Sequence, residues 1–455
     1  MAVQSLSERL ARYHAALQLE QIPAAVVQAA KLHILDTLGC LLAGSRLEPG
    51  GRAYELASGG SNAAGNVALL GTTARASYLD AAQAMSVAAH CGEMDDIHSG
   101  SGTCLGAMIV PALFAMAQKN GGSGAGFLQA VVTGYETTAR VGLAVNAPAL
   151  FARGWWPSTV CGAFGVAAAG AKFSGWPPDK MSNALGIASL YTGGMITGGA
   201  EGATARHLIF GHAARNGLLA LIADEAGFTG PKHAFEDPRG FCLTLCLSPK
   251  WEYLENYNSY FLPEVAFKPY PCARQLHAGV EALLALLKQH SIAASSIAEI
   301  TLSVPTANAG MVNRPSLPPN RAAALGSGQY VMAATAVSGK MDLLSFEDAM
   351  INDVQVRDLL TRVTVRAENE LDRYFPQSWP GRVQVKVETG RSYTHEIIVP
   401  KGERGNAMLR EEIEEKFLSL AKTVLGDARA SSVISEIESL DRRKSLKDLL
   451  SALGC

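Results

Sequence analysis

From Pro23 to Glu225, segment after segment carries apolar residues at three-to-four spacing, and this pattern limits the first half of the chain to packed helices. Val26, Val27, Ala30, Ile34, Leu35, Leu38 and Leu41 set the first such face, which opens after Pro23 and stops at Gly44. Residues 105–118, 125–145, 159–173, 181–191 and 211–226 repeat it, most of them bounded by Gly, Pro or an Asn, Asp or Ser cap. Apolar residues make up 48% of the 455 positions and charged residues only 18%, so the expected product is a large buried core rather than a disordered chain. Plentiful Ala and Gly with few aromatics let the helices approach closely.

After about Val265 the period changes. Ile297–Val304 is a β-branched segment that ends at Pro305, and 362–366 reads as a short alternating strand. Val383, Val385 and Val387 alternate with Gln384 and Lys386, and Thr389-Gly390-Arg391 turns into a partner strand ending at Val399. Helices at 279–288 and 329–337 interleave with these strands, whereas 409–453 returns to amphipathic helix with charged faces. The expected architecture is mostly α with an α+β part: a large all-helical domain (1–265), a smaller α+β lid domain (266–401) inserted before the C-terminal helices, and a return to the helical domain (402–455). A cleft between such domains is the default place for a small-molecule site.

Several function classes drop out. A net charge of −2 gives no pull toward nucleic acid or anionic membranes. Met1–Leu17 lacks the apolar core of a targeting signal, and no uninterrupted apolar run reaches the length of a membrane span, so a cytoplasmic protein is expected. The eight cysteines form no paired knuckles, which argues against structural zinc or an iron–sulfur cluster; reduced thiols and no metal are expected. The glycines crowded between Gly186 and Gly202 follow no strand and precede no Walker lysine, so they do not make a nucleotide loop.

Polar groups that are hard to explain as surface gather in five patches. Ala89–Pro111 holds Glu93, Asp95, Asp96, His98 and Cys104 beside an apolar helix. Arg153–Thr159 makes an aromatic corner with Trp155 and Trp156, suited either to walling a pocket or to plain packing. Gly202–His207 ends in Arg206 and His207, and an arginine there suits bidentate binding of a carboxylate, although a surface salt bridge would use the same residue. Phe267–Cys272 carries Lys268 between prolines, with His277 five residues on; 313–331 contributes Arg314 and Tyr330.

In their order these patches resemble the MmgE/PrpD family, which includes 2-methylcitrate dehydratase, cis-aconitate decarboxylase and iminodisuccinate epimerase. The pieces carrying the resemblance are Met94-Asp95-Asp96 through Val110-Pro111, Arg153-Gly154 through Gly165, Gly211–Gly217, Glu225–Gly230, Phe267–Cys272 and Asn313-Arg314-Pro315. The resemblance implies a helical domain with an α+β lid, a homodimer, and catalysis of a small di- or tricarboxylate without metal or cofactor. The family's catalytic positions fall here on Glu93, Cys104, Trp156, Arg206, His277 and Tyr330. Two of the lyases' histidines are thereby replaced, by Cys104 and Trp156, and their lysine by Arg206.

These replacements remove near-neutral proton donors. Epimerisation asks for less: one group takes the proton α to a carboxylate and another returns it from the opposite face. The expectation is therefore an epimerase in which Cys104, its thiol pKa lowered by a neighbouring cation, works with His277 or Tyr330. Glu93 would orient or relay, and Arg206, His207, Lys268, Trp156, His98 and Asp95 would surround the substrate. The alternatives are a lyase that takes its acid from Glu93, His98 or Tyr330, and a non-catalytic carboxylate-binding member.

Overall fold

The computed structural model describes residues 4–59 and 65–455. The helical expectation holds over the first half, in helices at Ala24–Gly44, Tyr78–Cys91, Gly106–Asn120, Gly124–Ala144, Pro157–Phe173, Pro178–Ser189 and Leu208–Glu225. Ala24–Gly44 is long and apolar enough by composition to cross a membrane, although its apolar run is interrupted at Gln28, Lys31, His33 and Asp36. It nevertheless buries Lys31, His33 and Asp36 among its neighbours, which marks the central helix of a packed core. Small residues set how closely these helices meet. At Gly165 an added Cβ would lie 1.9 Å from Thr138 Oγ1, so the helix of Pro157–Phe173 presses directly on that of Gly124–Ala144.

One hydrophobic core joins these helices to the last segment of the chain, through Phe417, Ala421, Leu425, Val433 and Ile437. A second core is built from 272–387. It backs a four-stranded sheet in the order Val363–Ala367, Ile297–Val304, Gly381–Val387, Ser392–Ile397. The first pair is parallel and the other two are antiparallel. His277–His290 and Gly328–Ser338 pack on this sheet, and Val383, Val385 and Val387 point inward as their alternation predicts.

The two parts are stitched where they meet. The short strand Ile97–His98 pairs antiparallel with Val265–Ala266, so the loop carrying Cys104 and the segment carrying Lys268 leave one ribbon together. The return segment braces the same place. Gly402, at φ +94°, packs so closely that an added Cβ would sit 2.0 Å from Phe267 O, and Phe267 N–H donates to Gly402 O at 3.2 Å.

Candidate active site

A cavity of about 90 Å³ lies between the helical body and the lid. Its wall carries His90, Glu93, Cys104, Trp156 and Arg206 from the body and Lys268, Arg274 and Arg314 from the lid side. Apolar surface from Ile97, Phe151, Ile196, Val312 and Trp379 fills the rest. Few polar groups converging in a mostly apolar hollow are the ordinary make-up of a small-molecule site.

The body half is organised by the turn after Tyr78–Cys91. Glu93 adopts a left-handed backbone (φ +53°), a conformation costly for a residue with a side chain, of the order of 1–3 kcal/mol. The turn aims its carboxylate into the cavity, where Oε1 accepts from Arg206 Nη2 at 2.8 Å and Oε2 from Lys268 Nζ at 3.4 Å. Lys416, from the C-terminal return, holds the turn from behind by donating to Met94 O at 2.7 Å. Burial opposes ionisation of Glu93, but His90, Lys268, Arg206 and His207 outweigh it and hold the carboxyl well below the usual carboxylate range. Burial likewise disfavours the charged form of Lys268, yet the carboxylates of Asp95 and Glu93 raise its pKa and keep the ammonium protonated.

Asp96 anchors the next element. It accepts from the N–H groups of Leu105 (3.2 Å) and Gly106 (2.9 Å) at the start of Gly106–Asn120, and from Tyr135 Oη at 2.6 Å. Only glycine fits at 106, because an added Cβ would lie 2.3 Å from Thr37 Oγ1 and 2.6 Å from the Tyr135 hydroxyl. Cys104, just before this helix, is fixed by its own N–H donating to Ser158 Oγ at 2.9 Å.

The lid side adds cations. Arg274 is gripped by Glu403, its Nε at 3.1 Å and Nη2 at 2.9 Å from Oε1, while Ser99 Oγ donates to the same oxygen at 2.8 Å. Arg314 reaches across to the body, donating from Nη1 to Gly199 O at 3.2 Å. Burial and the neighbouring Arg206 both lower the pKa of Arg314, the mark of two guanidinium groups facing one space. Arg206 stacks over Trp156 at 4.6 Å, and its buried Nε has no hydrogen-bond partner. Four cations thus meet one carboxylate on this wall, an arrangement that selects anions.

Several expected site residues lie elsewhere. Tyr330 is buried in the lid core, its hydroxyl donating to Ser345 O at 2.6 Å, because the apolar face of its helix turns to the sheet rather than to the cavity. His277 is also off the wall: its Nε2 donates to Cys272 O at 3.1 Å and its Nδ1 accepts from Arg274 Nη1 at 3.2 Å. Burial, Arg274 and Lys268 hold this ring neutral, so its place is behind Arg274. His98 faces a different hollow on the far side of the Cys104 loop, beside Ser99, Glu264 and Glu403. His207 is buried beside His90 with both ring nitrogens unpartnered, and Asp95 lies beneath the wall.

Cys104 does line the cavity, but with the opposite electrostatics to those expected. Burial pushes its thiol well above the ordinary range, Asp95 adds to this, and Lys268 offsets it only in part. Two wall residues escaped the sequence reading. Arg274 sits three positions before the histidine chosen in its stead, and His90 ends an apolar helix, where it reads as core. His90 Nδ1 lies 3.0 and 3.1 Å from the two Asp95 oxygens, and a histidine with an acid five residues on, just past a helix end, was the available signal. A nitrogen of His90, an oxygen of Asp95 and Cys104 Sγ also lie within 4.8 Å of one another, the one such group among the described residues. Lys268, 3.7 Å from Asp95, already supplies the cation there.

Sequence comparison agrees with this architecture: the MmgE/PrpD N-terminal domain matches residues 8–254 and the C-terminal domain residues 270–442. The chain belongs to the MmgE/PrpD family. Among its relatives, the cis-aconitate decarboxylase-like protein oryM of Aspergillus oryzae is 28% identical, covering 99% of this chain and 97% of its own length. The cis-aconitate decarboxylase of Aspergillus terreus is 27% identical (96% and 94% covered), and that of Homo sapiens 27% (97% and 93%).

Proposed function

We propose that this member of the MmgE/PrpD family is a lyase that decarboxylates a small unsaturated tricarboxylate of the cis-aconitate type, without a metal. The observation that carries the reading is the set of four cations, Arg206, Lys268, Arg274 and Arg314, around a cavity lined by the single carboxylate Glu93; with Asp95 and Glu403 behind them, four cations against three carboxylates leave one net positive charge. Such a wall binds two or three carboxylates and stabilises the charge left on the carbon skeleton when one departs as CO₂. Relatives named for cis-aconitate decarboxylation, aligned over nearly the whole chain, support the same substrate class.

The epimerase expected from sequence is the weaker reading for a physical reason. It needed a thiolate at Cys104 and a second proton carrier at His277 or Tyr330, whereas the thiol is held protonated and neither partner reaches the wall. The test is to incubate the protein with cis-aconitate in deuterated water and follow it by NMR. The expected result is an unsaturated dicarboxylate with one carbon-bound deuteron and an equivalent of CO₂. Deuterium washing into both isomers of a dicarboxylate without CO₂ would restore the epimerase, and inertness toward every di- and tricarboxylate would favour a binding role.

A further inference from the structure

Decarboxylation has a strict balance. The C–C bond to the departing carboxylate breaks, its electron pair shifts the double bond, and the carbon that receives the negative charge must take one proton. The wall therefore needs a group that gives up a proton and recovers it from solvent on each turnover. Arg206, Arg274 and Arg314 do not release protons. Lys268 is tied to Glu93 and Asp95, and Glu93 is tied to Arg206 and Lys268.

His90 is differently placed. Its Nδ1 faces both oxygens of Asp95 at 3.0 and 3.1 Å, which fixes the ring's orientation and directs Nε2 away from the carboxylate. Phe210 stacks on the ring at 3.4 Å and Trp156 meets its edge at 5.8 Å, so the ring cannot swing. Nε2 is buried, lacks a hydrogen-bond partner, and stands 3.6 Å from Glu93 Oε1 at the cavity wall. Among the described residues it is the one imidazole on that wall. We propose that His90 is the catalytic acid of this enzyme, delivering the proton from Nε2 to carbon, with Asp95 a positioning residue that orients the ring and stabilises its imidazolium. Glu93 Oε1 stands 3.6 Å from Nε2 without a hydrogen bond to it, so this nitrogen is left open to the cavity. The inference rests on the lyase reading and adds the proton source to it.

The experiment compares the full-length protein with His90→Gln, His90→Gly and Asp95→Asn. It measures turnover of cis-aconitate and, separately, calorimetric binding of propane-1,2,3-tricarboxylate. His90→Gln is expected to lower kcat about 100-fold or more while leaving the Kd within about 3-fold. Added imidazole is expected to restore His90→Gly at least about tenfold, with the restored rate following the pKa of substituted imidazoles, a dependence that a packing role does not produce. Asp95→Asn is expected to lower kcat more than it weakens binding. Retention of kcat within about threefold in His90→Gln would overturn the proposal, as would a His90→Gly protein that binds the tricarboxylate but ignores imidazole. A wild-type protein that binds the tricarboxylate yet decarboxylates nothing would instead remove the lyase reading, and with it this step.

Discussion

Lys416 and Lys268 are both buried lysines, yet their surroundings differ. Lys416 lies 2.6 Å from Asp36 and donates to Met94 O at 2.7 Å, a close one-to-one match. Lys268 stands farther from its carboxylates, 3.4 Å from Glu93 and 3.7 Å from Asp95, and shares its space with Arg206, Arg274 and Arg314. Arg140 follows the first pattern: it pairs with Glu136 and donates to the carbonyls of Tyr253, Asn256 and Ser259. Matched charge holds segments of the chain together. At the cavity four cations share Glu93, Asp95 and Glu403, and the one positive charge left over faces a space where an anion completes it.

The comparison is sharpest in substitutions that remove one charge from each set. Lys416→Met leaves Asp36 buried without a counter-ion and is expected to cost about 3–5 kcal/mol in denaturant unfolding, the largest stability effect here. Unchanged stability would show that this pair does not rivet the Glu93 turn. Arg206→Ala removes a cavity cation and leaves its carboxylate, Glu93, with Lys268 as counter-ion. It is expected to raise KM for a tricarboxylate about 100-fold, near 2.7 kcal/mol, while unfolding stability stays close to wild type. A protein that loses stability but keeps its KM would place Arg206 in the matched set.

Glu403→Gln tests an intermediate case, because Glu403 grips a cavity cation from outside the cavity. Loosening Arg274 is expected to raise KM about tenfold with less change in kcat, and Glu403→Asp should recover part of the loss. The smallest effect per residue concerns pH. Burial drives the pKa of His14 from 6.5 to about 3, and His277 falls in the same direction, burial again being the largest cause. Below 6.5 the unfolded chain takes up protons that these folded rings refuse, so stability falls as pH drops and is flat above that value. Each ring should contribute about 1.4 kcal/mol at one unit below 6.5, and His14→Gln or His277→Gln should flatten the slope by that share. An unaltered slope would mean other groups govern acid unfolding.

How far the chain could be read in advance follows from the same distinction. Periodicity exposes which face of an element is buried, and it delivered the helices of the first half, the strands after Val265 and the return of the tail to the body. It does not say whether a buried face meets hydrocarbon or a cavity. Tyr330 and His90 both lie on apolar helices, and only packing sends one into the lid core and the other to the wall. Cys104, Glu93, Arg206, Lys268 and Trp156 were legible as wall residues because their motifs kept the family's order. The grip of Glu403 on Arg274 was not, since 129 residues separate them. The Cys104 thiol failed for a third reason: one nearby cation was weighed, but not the burial that dominates it.

Calorimetric titration with propane mono-, 1,3-di- and 1,2,3-tricarboxylates addresses the surplus-cation cavity most directly. Affinity is predicted to tighten with each added carboxylate, to weaken as ionic strength rises, and to lose its tricarboxylate preference in Arg206→Ala. Equal affinity across the series, or no binding at all, would contradict the account.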